Sequence, residues 1–99
     1  MNPIDQLTAD DFAGDIGRIV QIDGSGMGLI LDRIDRPMFP GWEKTARKPF
    51  SLILRGPDAP VLPEGLHSVQ IGESPPLALY VIPIFTPAHD HQDYQIVFN

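Results

Sequence analysis

Residues 49–56 read PFSLILRG, an alternating run bounded by a proline and a glycine. Phe50, Leu52 and Leu54 fall on one side and Ser51, Ile53 and Arg55 on the other. That is the period of two that a half-buried β-strand imposes. Downstream, Asp93 to Phe98 repeats it, with Tyr94, Ile96 and Phe98 turned inward. Between them, LALYVIPIF (77–85) is apolar on both faces and predicts a central strand covered on each side. Pro83 puts the far end of that strand at an edge or a bulge, since proline donates nothing to a ladder. Leu66 to Ile71 supplies one more strand.

Upstream, Met27 to Asp35 sets Met27, Leu29 and Leu31 on one face and Gly28, Ile30 and Asp32 on the other. DGSGMG (23–28) precedes it and offers positions that tolerate positive φ, as a hairpin turn requires. A first strand is expected over Arg18 to Asp23. PDAPVLPEG (57–65) is punctuated by prolines and should cross from one sheet edge to another in extended form. Near the start, Thr8 and Asp11 resemble a capping pair. A short helix over about residues 9–14 is therefore expected, with Phe12 docked on the core and Gly14 and Gly17 ending the turn. No other helix is expected, because eleven prolines and nine glycines among 99 residues disfavour long ones. The pattern gives an all-β fold with one short N-terminal helix: a small six-stranded, mostly antiparallel barrel or a two-layer sandwich, forming a single domain over 1–99. Closure would remove the unpaired edges that invite aggregation.

With 42% hydrophobic and 20% charged residues, the chain has a composition that folds. Its formal net charge is -6, and all seven basic residues lie between Arg18 and Arg55. Nucleic acid is not an expected partner, since phosphate affinity needs clustered cations. Cysteine is absent, which rules out disulfides and thiolate chemistry and fits a reducing compartment. No apolar run approaches the roughly 20 residues of a membrane span. The first residues lack the charged and apolar regions of a signal peptide, so a cytoplasmic protein is expected.

Three patterns bear on function. RPMFPGWEKTARK (36–48) is a long loop carrying Met38, Phe39 and Trp42 beside Lys44, Arg47 and Lys48. Aromatic, methionine and arginine side chains are enriched at protein interfaces, which makes these six residues the candidate partner-binding set. Equally, Trp42 would plug an open barrel end if it folded back. His89 and His91 form an H-x-H pattern that His67 could join, and imidazoles with carboxylate help would hold a divalent metal. PAHDHQD reads as a loop, however, so surface histidines in a polar hairpin are the simpler account. GSGMG lacks the strand-to-helix setting of a phosphate loop. Ser51, Ser68 and His67 have no nucleophile elbow around them, and Asp10 with Asp11 are explained by a helix start. No catalytic residue and no cofactor is assigned.

The runs PFSLILRGP (49–57), VLPEGLHSV (61–69), LALYVIPI (77–84) and YQIVFN (94–99), with Leu7, Thr8, Asp11 and Phe12 as an L-T-x-x-D-F opening, resemble a family of short bacterial proteins of unknown function. The resemblance spans nearly the whole chain and implies a shared fold without an activity. It also implies a structural or accessory role, because members sit among genes for phage-tail-like proteins with collar or fibre domains. The family carries Tyr where this chain has His67, and a glycine-rich loop where it has HDH, which weakens a shared metal site. The expectation is thus a non-catalytic interaction or assembly module, accessory to a phage-tail-like structure, working through strand edges and the 36–48 loop. Strand five, apolar on both faces, adds an expectation of homo-oligomers. The alternative is a small-ligand or metal-binding β-barrel using His67, His89 and His91.

Overall fold

Alternating apolar residues become strands where every second side chain can be buried, and all six alternating stretches do so. The computed structural model describes residues 7–23, 26–36, 49–84, 86–87 and 90–98. After a one-turn helix α1 (Asp10–Ala13) come β1 (Ile19–Ile22), β2 (Met27–Asp35), β3 (Phe50–Gly56), β4 (Gly65–Ile71), β5 (Leu77–Ile84) and β6 (Gln92–Phe98). They close into a barrel in the order β1-β2-β3-β6-β5-β4, and each neighbouring pair is antiparallel. The barrel, not the sandwich, is therefore the architecture adopted. Because the ring closes, each described strand has a hydrogen-bonded neighbour on both sides along at least part of its length.

Two three-stranded meanders make the ring. β3 joins β6 along seven residue pairs, from Phe50↔Phe98 to Gly56↔Gln92, while β1 joins β4 along three, from Val20↔Ile71 to Ile22↔Val69. The turn between β1 and β2 includes Gly26 at φ +70°, a conformation that glycine adopts without steric cost. In β2 the register shifts between Leu31 and Arg33, so Asp32 is the extra residue of a bulge. Leu29 and Leu31 point inward before it, and Ile34 packs against the core after it.

A barrel of six strands is narrow, and side chains fill it. Val20, Leu29, Leu31, Leu52, Leu54, Val81, Tyr94 and Ile96 are all buried in one cluster. Burying each such aliphatic side chain is worth about 1.5–3 kcal/mol. On β3 the outward Ser51 and Ile53 are buried too; Ile53 lies in register between Arg33 of β2 and Gln95 of β6. β5 departs from expectation. Its inner residues Leu79 and Val81 are buried, but Tyr80, which points outward, is 49% exposed and Ala78 is exposed. A closed ring covers its inner face throughout and its outer face only in places, as at Ser51 and Ile53, so apolar residues on both sides of a strand do not imply cover on both sides. β5 also changes partner midway: Leu77 to Val81 pair with β4, and Ile82 to Ile84 with β6. Pro83 thus sits where β6 is the neighbour and β4 pairing has ended.

The two mouths are closed differently. Segment 57–64 crosses one of them, and there Leu62 is buried and its N–H donates to the Tyr94 hydroxyl at 2.9 Å. At the other, α1 brings Phe12 onto Phe50 and Phe98, with ring centroids 5.9 and 5.4 Å away. Phe50 and Phe98, opposite each other in the β3–β6 register, stack at 4.6 Å and 4°.

Tyr94→Phe removes the hydroxyl that accepts from the buried Leu62 N–H. We expect it to cost about 1–3 kcal/mol, the usual penalty for orphaning a buried donor. Urea unfolding followed by far-UV circular dichroism measures it, and an unchanged midpoint would show that the hydroxyl does not hold the crossing segment.

Candidate functional site

The site at the α1 mouth begins with Thr8 and Asp11. Asp11 Oδ2 accepts hydrogen bonds from the Thr8 backbone N–H at 2.8 Å and from Thr8 Oγ1 at 3.2 Å. These bonds, with Asp11 N–H donating to Thr8 O at 3.0 Å, wind the chain into α1 and leave Leu7 and Phe12 buried against the barrel. The helix covers Asp10 to Ala13, within the 9–14 expected. Across from it stands the hairpin joining β4 to β5, whose turn is tied by Ser74 N–H to Ile71 O at 3.1 Å.

Between helix and hairpin lies a cleft of about 220 Å³. Its buried walls are Leu7, Phe12, Val69 and Ile71, continued by the half-buried Leu77. Asp11, Asp15, Ser74 and Pro75 complete the lining. Arg18 bridges the two sides. Its Nε lies 3.6 Å from Asp15 Oδ1, and its stem runs so close over Gly72 that a Cβ there would meet Arg18 Cδ at 3.0 Å. Arg36, at the end of β2, reaches Asp10 Oδ1 at 3.6 Å. Local spacing makes Asp11 and Phe12 cap and core, and nothing in it joins them to Val69, Ile71 and Leu77, because the cleft exists only once the ring has closed.

Met38, Phe39, Trp42, Lys44, Arg47 and Lys48 lie outside the described residues, as does His89. His67 and His91 both stand near the Leu62 mouth but on opposite faces of the wall. His67 shares the inward side of β4 with Val69 and Ile71, and its Nε2 donates to Pro63 O at 2.9 Å, since a carbonyl only accepts. His91 Nδ1 donates to Asp90 Oδ1 at 2.6 Å, and its Nε2 lies 3.5 Å from Asp93 Oδ1 on the outer face. That hydrogen bond from His91 holds the Asp90 carboxyl below its ordinary range. Among the described residues no three His, Cys, Asp or Glu side chains gather around a common metal position. Ser51 is buried on β3 and takes a hydrogen bond from Gln95 Nε2 at 3.4 Å, whereas Ser68 is exposed on β4.

Asp93 belongs to a chain of charges along the outer face. Arg55 Nε reaches Asp93 Oδ1 at 3.4 Å, and Arg55 Nη2 reaches Asp32 Oδ2 at 3.8 Å. Arg33 links Asp32 to Asp35, at 3.0 and 3.3 Å. The β2 bulge makes this possible by presenting Asp32 and Arg33 in succession. Such half-exposed pairs are worth little individually, about 0–1 kcal/mol. Elsewhere outside, exposed apolar residues meet in register: Ile19 with Ile30, and Leu66, 68% exposed, with Tyr80. No described helix is long and apolar enough to cross a membrane.

A model of a domain of unknown function, DUF6916, matches residues 7–98, and the chain belongs to that family. This agrees with the resemblance to a short family of unknown function. Comparison with curated proteins and with solved structures gives no match.

The Tyr80 hydroxyl donates to Glu64 Oε2 at 2.7 Å. This bond to a carboxylate, with the negative charge beside it, raises the phenol above its ordinary value of 10.0. The folded-state value being the higher one, the stabilisation is complete below the ordinary value and is lost as pH rises through the raised one. Ultraviolet titration should show the Tyr80 phenol ionising late, and Glu64→Gln should move that transition back toward the ordinary range. A titration curve identical in the two proteins would contradict the bond.

Proposed function

We propose that this chain is a non-catalytic interaction or assembly module, and that its finer role is as an accessory part of a phage-tail-like structure. What supports the first part is the cleft at the α1 mouth, a concave apolar surface on a barrel whose interior is already occupied by its own side chains. Recognition on such a body falls to its outside and its ends. The finer role draws on the motifs shared with short proteins of phage-tail-like neighbourhoods. Self-association belongs to the same reading, and the exposed Leu66–Tyr80 pair is the outer apolar surface that favours it.

Affinity capture from the native host, comparing wild type with Leu77→Lys, tests the reading. Structural proteins of a tail-like assembly should be enriched by the wild type and lost with the variant. Absence of any protein specific to the wild type would remove the module reading, while enrichment of other assemblies would remove only the phage-tail role. For self-association, sedimentation velocity should show a dimer or larger species that Leu66→Glu converts to monomer, and a wild-type monomer at high concentration would refute it.

A further inference from the structure

We infer that the cleft between α1 and the β4–β5 hairpin receives one large apolar side chain of a partner peptide that carries lysine or arginine next to it, an inference that rests on the interaction reading above. Size points to a side chain. At about 220 Å³ the cleft is smaller than the roughly 300–1,000 Å³ of pockets that enclose small-molecule ligands. Its walls, Leu7, Phe12, Val69, Ile71 and Leu77, offer hydrocarbon, which suits the buried anchor of an interface.

Charge selects what stands beside the anchor. Asp11 and Asp15 line the cleft, Asp10 adjoins Asp11 on α1, and Glu73 adjoins Ser74 on the hairpin. Against these four carboxylates the described residues set two guanidiniums, Arg18 on Asp15 and Arg36 on Asp10. The hairpin side cannot restore the balance, because residues 56–99 contain no Lys or Arg. Asp11 spends Oδ2 on Thr8, and Oδ1 has no partner among the described residues. The outer chain of charges along β2, β3 and β6 differs, since its arginines each meet two carboxylates of their own wall. A cationic neighbour is thus matched at the cleft and a phosphate or acidic peptide repelled, an effect that acts more on selectivity and encounter than on raw affinity.

Selection of short random peptides on the full chain, followed by methyl NMR titration with the recovered peptide, tests this. Enriched peptides should place Leu, Ile, Met or Phe beside Lys or Arg, and titration should shift the Val69, Ile71 and Leu77 methyls. Replacing the flanking cation by Glu should weaken binding about tenfold. Asp15→Asn should weaken it severalfold with the unfolding midpoint retained, and Leu77→Lys should abolish it. Peptides that bind equally with acidic flanks, or whose shifts fall on the Leu66–Tyr80 face, would overturn the inference and leave the interaction reading standing. Failure to enrich any peptide over the bare support would overturn both.

Discussion

Three residue pairs between β1 and β4 turn a six-stranded sheet into a ring. Without them β1 and β4 would each present a row of unpaired backbone groups, and each meander would have its own half of an apolar face to cover. With them Val20, Ile22, Val69 and Ile71 join the cluster built on Leu29, Leu52, Leu54 and Ile96. A single core then serves the whole chain. The same closure leaves two mouths, and the segments outside the strands are spent on them: Leu62 and Tyr94 at one, Phe12 with Phe50 and Phe98 at the other.

The strands were legible because burial on the inside of a ring imposes strict alternation. β2 was read at Met27 to Asp35 and is observed there; the others differ by one residue at an end or two. The order of the ring was not legible, since β3 pairing with β6 joins residues whose separation no local pattern records. β5 shows a second limit. Its apolar outer residues read as a covered face, yet Tyr80 is held at the surface by Glu64, a residue sixteen positions earlier. The bulge at Asp32 was equally silent, because an extra residue in one strand is defined only by its partner.

Of the candidate site, only the cap was legible. Thr8 and Asp11 are three apart, a spacing that a single turn brings together, and they bond as expected. Val69, Ile71 and Leu77 are legible as strand residues, but no local pattern records that a cleft opens between them and α1. Of the histidines, the two that are described part company: His67 donates inward to Pro63 and His91 outward to Asp90, a division that their positions in the chain do not record.

Electrostatics and closure together narrow where this family member can meet another molecule. The wall of β2, β3 and β6 carries charges that are largely matched within it, so an approaching charge gains little there. The interior is closed to ligands by its own side chains. At one end a four-residue helix leaves a cleft lined by hydrocarbon between Phe12 and Leu77, beside Asp11, whose Oδ1 has no partner among the described residues. Lengthening α1 would have been the simpler way to bury that hydrocarbon, and the chain instead turns away at Gly14 and Gly17 into β1.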